Sequence, residues 1–324
     1  MKLLDTRRAI LASLLFGPAL AARAQGSWPE RSITLVVPFG PGGIADLTAR
    51  TVAQAMSAAL KVPIVIDNKP SAGSIVGSAA VAQAAPDGHT LLLMSNANAV
   101  SASLFRKLPF DVQKDFAPVS LLGVFDLALF VAAESKLKSV RELLDQAKSR
   151  PGKLTIGTIA VGSTQNLSAE LFKARTGIDA LIVPYKGTPA VLTALRAGEI
   201  DAAFEILGPM LPQLQAKAVR ALAVTSDRRF AALPEVPTMR EAGVADYEVA
   251  SWNALAAPAR TPAAVIERLN TAANEALKNP AMQERLLALG VRAQGGTPQQ
   301  LQALLASEVR HWGEVIRAAK IEPE

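Results

Sequence analysis

The sequence predicts an α/β protein whose parallel sheet is divided between two lobes. Two patterns carry this expectation. Short apolar, β-branched runs alternate with amphipathic stretches along most of the chain, the arrangement that builds parallel sheets. One strand–turn–helix plan also occurs twice. Gly40-Pro-Gly-Gly-Ile-Ala-Asp-Leu-Thr-Ala-Arg-Thr51 and Gly162-Ser-Thr-Gln-Asn-Leu-Ser-Ala-Glu-Leu-Phe-Lys-Ala-Arg-Thr176 each run from a small polar turn into a helix whose first stretch ends in Ala-Arg-Thr. Each lobe then presents a helix N-terminus at the carboxyl edge of its own sheet, where open α/β sheets bind ligands.

The elements follow in order. Residues 1–24 read as an export signal: Lys2, Arg7 and Arg8 precede the apolar run 9–20, and Ala22-Arg23-Ala24 forms a cleavage site before Gln25. The run is shorter than the roughly 20 residues a membrane span needs, so a periplasmic product cleaved near Ala24 is expected. Thr6-Arg7-Arg8 is compatible with either the general or the twin-arginine route. Strands are predicted over 33–39, 64–67, 90–95, 154–157, 181–184, 202–206 and 221–225. Helices are predicted over 44–60, 75–84, 140–149, 168–175, 190–197 and 210–216, with two or three more from Pro262 onward. Gly177 and Pro151-Gly152 punctuate helix ends. Two long extended segments, 116–134 and 247–257, read as the crossings between lobes. Lobe 1 then comprises 26–124 and 253–324, lobe 2 comprises 125–252, and the crossings form a hinge.

Composition narrows the chemistry. The formal charge is +6, and half of that excess belongs to the leader, where Lys2, Arg7, Arg8 and Arg23 stand against Asp5. The remainder has no basic run and few aromatics, which argues against a nucleic-acid partner. Cysteine is absent, so thiol nucleophiles and thiolate metal sites are excluded. The two histidines, His89 and His311, lie far apart and read as structural residues. There is no His-rich metal motif and no G-x-S-x-G elbow for serine hydrolysis. No cofactor and no metal are expected.

The front of the chain is the most informative part. After the apolar strand, the turn from Pro38 to Gly43 opens onto a helix with small residues at its start. The free N–H groups there, with about +0.5 of an elementary charge at the helix end, suit a carboxylate or phosphate.

Several ordered stretches resemble the periplasmic solute receptors of tripartite tricarboxylate transporters, the Bug-type proteins. They are Trp28-Pro-Glu-Arg-Ser-Ile-Thr-Leu-Val-Val-Pro-Phe-Gly-Pro-Gly-Gly, Asn68-Lys-Pro-Ser-Ala-Gly-Ser, Ala85-Pro-Asp-Gly-His-Thr-Leu, Val183-Pro-Tyr-Lys-Gly-Thr-Pro-Ala, Arg196-Ala-Gly-Glu-Ile-Asp and Ser251-Trp. They span nearly the whole chain after the leader. The resemblance implies a type II periplasmic-binding-protein fold, two lobes with a hinge and a ligand cleft. It also implies a small carboxylated ligand held largely by loop backbone groups and water, and delivery to a membrane permease. This chain departs from the family at Asn166, where His is frequent, and at Glu205, where Asp is frequent. The resemblance implies that both positions help define the distal end of the ligand.

Candidate ligand residues therefore lie at the strand ends. In the first lobe they are Phe39 lining the cleft, Gly42 and Gly43 offering backbone, and Asp46 as a holder of water or of a ligand ammonium. Ser71, Gly73 and Ser74 are donors or N-caps; Asn96 and Asn98 follow the third strand. In the second lobe Ser163, Thr164 and Asn166 open the repeated helix, Tyr185 follows the next strand, and Glu205 is either an internally paired group or a reader of a cationic ligand group. Lys186 reads as a solvated loop lysine. The expected function is monomeric extracytoplasmic capture of a small carboxylate for a tripartite tricarboxylate-type permease, not catalysis. A ligand-sensing partner of a membrane kinase is the alternative. An exported nucleotide-using enzyme is a weaker one, because Gly40-Pro-Gly-Gly lacks the G-x-G-x-x-G order.

Overall fold

The computed structural model describes residues 28–323, so the export signal expected over 1–24 lies outside the described residues. The first half of the chain lays down β1 (Ile33–Val37), α1 (Ile44–Leu60), β2 (Ile64–Asn68), α2 (Ile75–Ala82), β3 (Thr90–Ser95) and α3 (Asn96–Leu104). β1 lies between β2 and β3, parallel to both. A long strand, β4 (Phe116–Ala132), then leads to α4 (Val140–Ser149), β5 (Leu154–Ile159), α5 (Thr164–Thr176), β6 (Ala180–Tyr185), α6 (Thr188–Ala197), β7 (Ala202–Ile206), α7 (Leu207–Gln215) and β8 (Val219–Val224). The chain returns through β9 (Ala250–Pro258) to α8 (Ala263–Lys278), α9 (Pro280–Ala288), β10 (Val291–Ala293) and α10 (Pro298–Ala318).

The expected parallel sheet is a mixed one. β5 is parallel to β6 and β7, as β1 is to its neighbours. The two crossings, read as extended segments, are themselves central strands and run antiparallel to what they touch. The reason is connectivity. β4 and β9 are not joined to their neighbours by βαβ crossovers; one strand carries the chain out of the first half and the other brings it back, so they oppose each other. From Phe116 to Asp126 β4 pairs with β9, and β10 joins its other edge. From Leu127 onward it pairs with β7 and β8 instead. One strand thus lies at the centre of two sheets and changes partner between Asp126 and Leu127.

Burial follows the alternation of the strands. Ile33, Leu35 and Val37 of β1 pack with Ala49, Val52 and Met56 of α1 and with Leu269 and Ala273 of α8. Phe130 of β4 packs with Val191 and Leu195 of α6 and Met210 of α7. A third cluster runs through both halves, from Leu92 and Met94 of β3 to Phe172 of α5, Phe204 of β7, Trp252 of β9 and Trp312 of α10. Burying each such large side chain contributes roughly 1.5–3 kcal/mol.

Candidate ligand-binding site

The strand ends build the site, and the first of them is held by a buried carboxylate. Asp46, in the first turn of α1, accepts hydrogen bonds from the Gly42 N–H, Arg50 Nε and Asn68 Nδ2, each at 2.9 Å. Asn68 also donates to the Phe39 carbonyl at 3.0 Å. Burial pushes the Asp46 carboxyl up, but the bonds from Arg50, Gly42 and Asn68 more than offset it and hold it below the usual range. Asp46 therefore ties the turn to α1 and to the end of β2. Its carboxylate is occupied by internal donors, which is a different task from the water or ammonium contact expected from the sequence.

What this brace shapes is an open helix end. Gly43 is the N-cap of α1 and supplies no side-chain cap. Gly42 has φ +81°, a conformation L residues avoid, and neither glycine has an atom closer than 3.8 Å to the position of an added Cβ. The first N–H groups of α1 thus receive no side-chain cap and follow an exposed turn, an arrangement suited to an anion. Phe39 is half-buried against the core beneath.

The neighbouring strand ends are closed by their own residues. Ser71 Oγ accepts from the Val76 N–H at 2.9 Å, and a Cβ on Gly73 would collide with the Phe105 ring, so both serve the start of α2. Ser74 is buried at a left-handed φ of 61°, with its hydroxyl unpartnered. Asn98 belongs to a capping box: its Oδ1 accepts from the Ser95 N–H at 2.9 Å while Nδ2 donates to Ser78 Oγ at 2.7 Å. That leaves the Asn98 amide spent on the fold, contrary to the ligand contact expected of it. Asn96 and Asn98 stand in α3 rather than in a turn.

Asn96 has a separate role. Trp312 Nε1 donates to its Oδ1 at 2.8 Å, and its Nδ2 donates across to Thr164 Oγ1 at 2.9 Å. This bond joins the end of β3 to the start of α5, so the two halves meet at predicted site residues. The α5 start is otherwise self-contained. Ser163 caps it, accepting from the Asn166 N–H at 3.1 Å. The Asn166 side chain accepts from the Gly162 N–H at 3.2 Å and donates to Thr158 Oγ1 at 3.4 Å. Asn166 thereby braces the second turn much as Asp46 braces the first, and it is buried rather than presented to a ligand.

Glu205, in β7, is wholly buried. Its Oε2 accepts from Thr188 Oγ1 at 2.9 Å and Gln165 Nε2 at 3.3 Å, and Oε1 has no partner. Burial raises its carboxyl to about 7, against the lowering effect of those bonds and the Ile206 N–H. Tyr185 is half-buried against the second-half core, and Lys186 is exposed. The residues the sequence reading passed over are Asn68, Arg50, Gln165 and Thr188. Arg50 stands one helical turn from Asp46, a visible i,i+4 pairing, whereas the partners of Glu205 come from distant segments and left no local signal.

Two large concavities lie away from these strand ends. A groove of about 900 Å³ is lined by residues such as Lys138, Arg220, Leu214 and Leu233, and one of about 730 Å³ by residues such as Trp252, Arg292, Glu308 and His311; none of the predicted site residues lines either. Among the described residues there is no cluster of three acidic, histidine or cysteine side chains placed to hold a metal, and no helix is long and apolar enough to cross a membrane.

Two sheets threaded by one long strand, with helix starts gathered at their carboxyl edges, define a type II periplasmic-binding-protein fold, and solved structures agree. R. palustris Rpa4515, solved with adipate, is 35% identical with a TM-score of 0.82, covering 92% of this chain and 100% of that one. MatC (Rpa3494) from Rhodopseudomonas palustris, solved with bound malate, is 32% identical with a TM-score of 0.77, covering 89% and 99%. The Bordetella pertussis (strain Tohama I) protein BugT is 37% identical over 293 residues, 90% of each chain. The chain belongs to the tripartite tricarboxylate transporter family of receptors, whose family model matches residues 48–321.

Proposed function

We propose that this receptor is exported, captures a small carboxylate between two lobes and delivers it to a tripartite tricarboxylate-type membrane permease. The observation that carries the reading is the uncapped N-terminus of α1, set behind Gly42 and Gly43 and braced by Asp46. It offers directed N–H groups to an anion, and the carboxylate beside them, Asp46, is engaged by Gly42, Arg50 and Asn68. The relatives solved with adipate and malate support a carboxylate as the ligand class. The lobes are 26–124 with 253–324, and 125–252, and the partner change within β4 supports a hinge near that boundary. No chemical step is assigned to the site, which binds and releases its solute.

Calorimetric titration with a panel of mono- and dicarboxylates tests this reading. Gly43→Val places a branched side chain in the open space before α1, where the protein itself has nothing to obstruct. The variant is expected to keep its melting temperature within a few degrees and to lose binding of every carboxylate the wild type takes. Undiminished binding by folded Gly43→Val would overturn the assignment of the anion site.

A further inference from the structure

The second sheet has an open edge beside a groove that solute capture does not use. β8 pairs with β4 on one side only. On its other side a single bridge joins Val224 to Thr238. Among the described residues, no backbone hydrogen bond from outside β4 reaches residues 219–222. The free length is roughly 13 Å, at about 3.3 Å per residue. Val140 of α4 shares a core cluster with Leu129 and Val131 of β4, whereas Met210 of α7 shares another with Phe130, so the two helices cover opposite faces of this sheet. The groove of about 900 Å³ lies along the edge between them, with Val140 on one wall, Leu211 and Leu214 of α7 on the other, and residues 219–222 at its base.

The charge of this groove is one-sided. Lys138, Arg141, Lys217 and Arg220 line it, and among the described residues none of the four is in an ion pair. The Arg220 guanidinium donates to the carbonyls of Ala133 at 3.0 Å, Leu137 at 3.3 Å and Ser135 at 3.5 Å, which leaves its charge without a counter-ion. Two carboxylates line the same groove. Glu241 is paired with Arg229 at 2.8 Å, so Glu235 alone stands against the four cations. An unpaired edge is a template for another chain, and strand addition takes its affinity from main-chain hydrogen bonds and its specificity from flanking side chains. A second copy of this chain would set the same cations against these, which like-charge repulsion opposes.

We propose that the open edge of β8 takes up an extended acidic segment of a protein partner as an added strand, its main chain on residues 219–222 and its carboxylates on the four cations. On the receptor reading above, the segment belongs to the membrane partner; the binding itself does not require that reading.

Fluorescence anisotropy on the full mature chain provides the test, with three labelled, end-capped octapeptides. One alternates Glu and Val, the second has Lys for each Glu, and the third is the Glu–Val peptide with every amide N-methylated, so that it cannot donate to a strand. The Glu–Val peptide is expected to bind about tenfold or more tighter than either of the others at low salt, and to weaken as salt rises. Lys217→Glu combined with Arg141→Glu changes two exposed side chains. That variant should keep its melting temperature and its carboxylate binding and lose about tenfold in affinity for the Glu–Val peptide. Hydrogen-exchange mass spectrometry should show the peptide slowing exchange at residues 219–222.

Equal binding of the N-methylated peptide, or protection confined to other segments, overturns the added strand. Wild-type affinity in the doubly reversed variant overturns the role of charge. Failure of all three peptides overturns the proposal and leaves the cations as guards that keep other strands off the edge. Capture of the chain by phosphatidylglycerol vesicles without binding of the Glu–Val peptide overturns it in favour of a membrane surface. Folded Gly43→Val should bind the Glu–Val peptide as wild type does; loss there would place the peptide in the solute site, sinking this proposal and leaving the receptor reading intact. Peptide binding by a wild-type chain that takes no free carboxylate sinks the receptor reading alone.

Discussion

Asp46 and Glu205 are both buried carboxylates, and their surroundings push them in opposite directions. Asp46 has a cation and two further donors, so it stays ionised; its contribution is present above its ordinary value near 3.8 and is lost as pH falls through its lower folded value. Glu205 has only neutral partners, so burial dominates and raises it from 4.5 to about 7. Between those two values the folded chain holds a proton that the unfolded chain releases, and stability therefore falls as pH rises through the window. A shift of that size corresponds to on the order of 3 kcal/mol. Burial also lowers His311 and raises Glu308, so the difference between variant and parent is the clean observable. Glu205→Gln should gain stability relative to wild type progressively from about pH 4.5 to pH 7 in denaturant titrations, and little further above that. A difference that is flat across this range would show that Glu205 is not held neutral by burial. Such residue-level facts were only half legible in the sequence: an acid closing an apolar strand was visible, but whether donors met it depended on Gln165 and Thr188, which lie on other elements.

At the scale of elements, the helix starts divide the work. α3 closes its own end with Ser95 and Asn98, α5 is capped by Ser163, and α1 alone of these three is left open. The α1 start and the whole span of α1 were readable because a Pro/Gly turn leads into a clear amphipathic run, and β3, β7 and α4 also fell at their predicted bounds. α3 was not readable. Asn-Ala-Asn after a strand has the local chemistry of a turn, and only packing under α10 together with the Ser95–Asn98 box makes it a helix. α5 begins at Thr164, ahead of the predicted 168, because the capping bond from Ser163 recruits a polar first turn that periodicity does not register. β10 is three residues long and exists through its register with Gly123–Phe125, a tertiary cause. If Ser163 serves as a cap rather than as a ligand donor, Ser163→Ala should cost about 1 kcal/mol in denaturant unfolding. Ligand affinity should change by less than that cost would predict for a direct contact. A large affinity loss with no stability loss would return Ser163 to the ligand.

At the scale of the molecule, the question is what lets two halves act as one receptor. β4 and β9 supply the covalent crossing, and a polar line supplies the meeting point: Trp312 of α10 donates to both Asn96 and Glu308 at 2.8 Å, and Asn96 donates on to Thr164. Beside it Gly162, at φ +76°, lets the second turn approach so closely that a Cβ there would stand 2.2 Å from Leu104. A ligand that touches both halves binds the joined arrangement better than the parted one and shifts the population toward it. The Asn96–Thr164 bond favours the same arrangement without ligand, by about 0.5–1.5 kcal/mol for a typical hydrogen bond. Thr164→Val keeps the shape and removes that bond. Small-angle scattering should then show a larger radius for the ligand-free variant than for ligand-free wild type, with both contracting to the same radius at saturation. Affinity should fall by roughly two- to tenfold, the size of the lost bond. The scattering arm separates closure from contact. If Thr164 acts only by touching the ligand, the ligand-free radii of variant and wild type will be identical, and the bond across the halves will have no part in closing them.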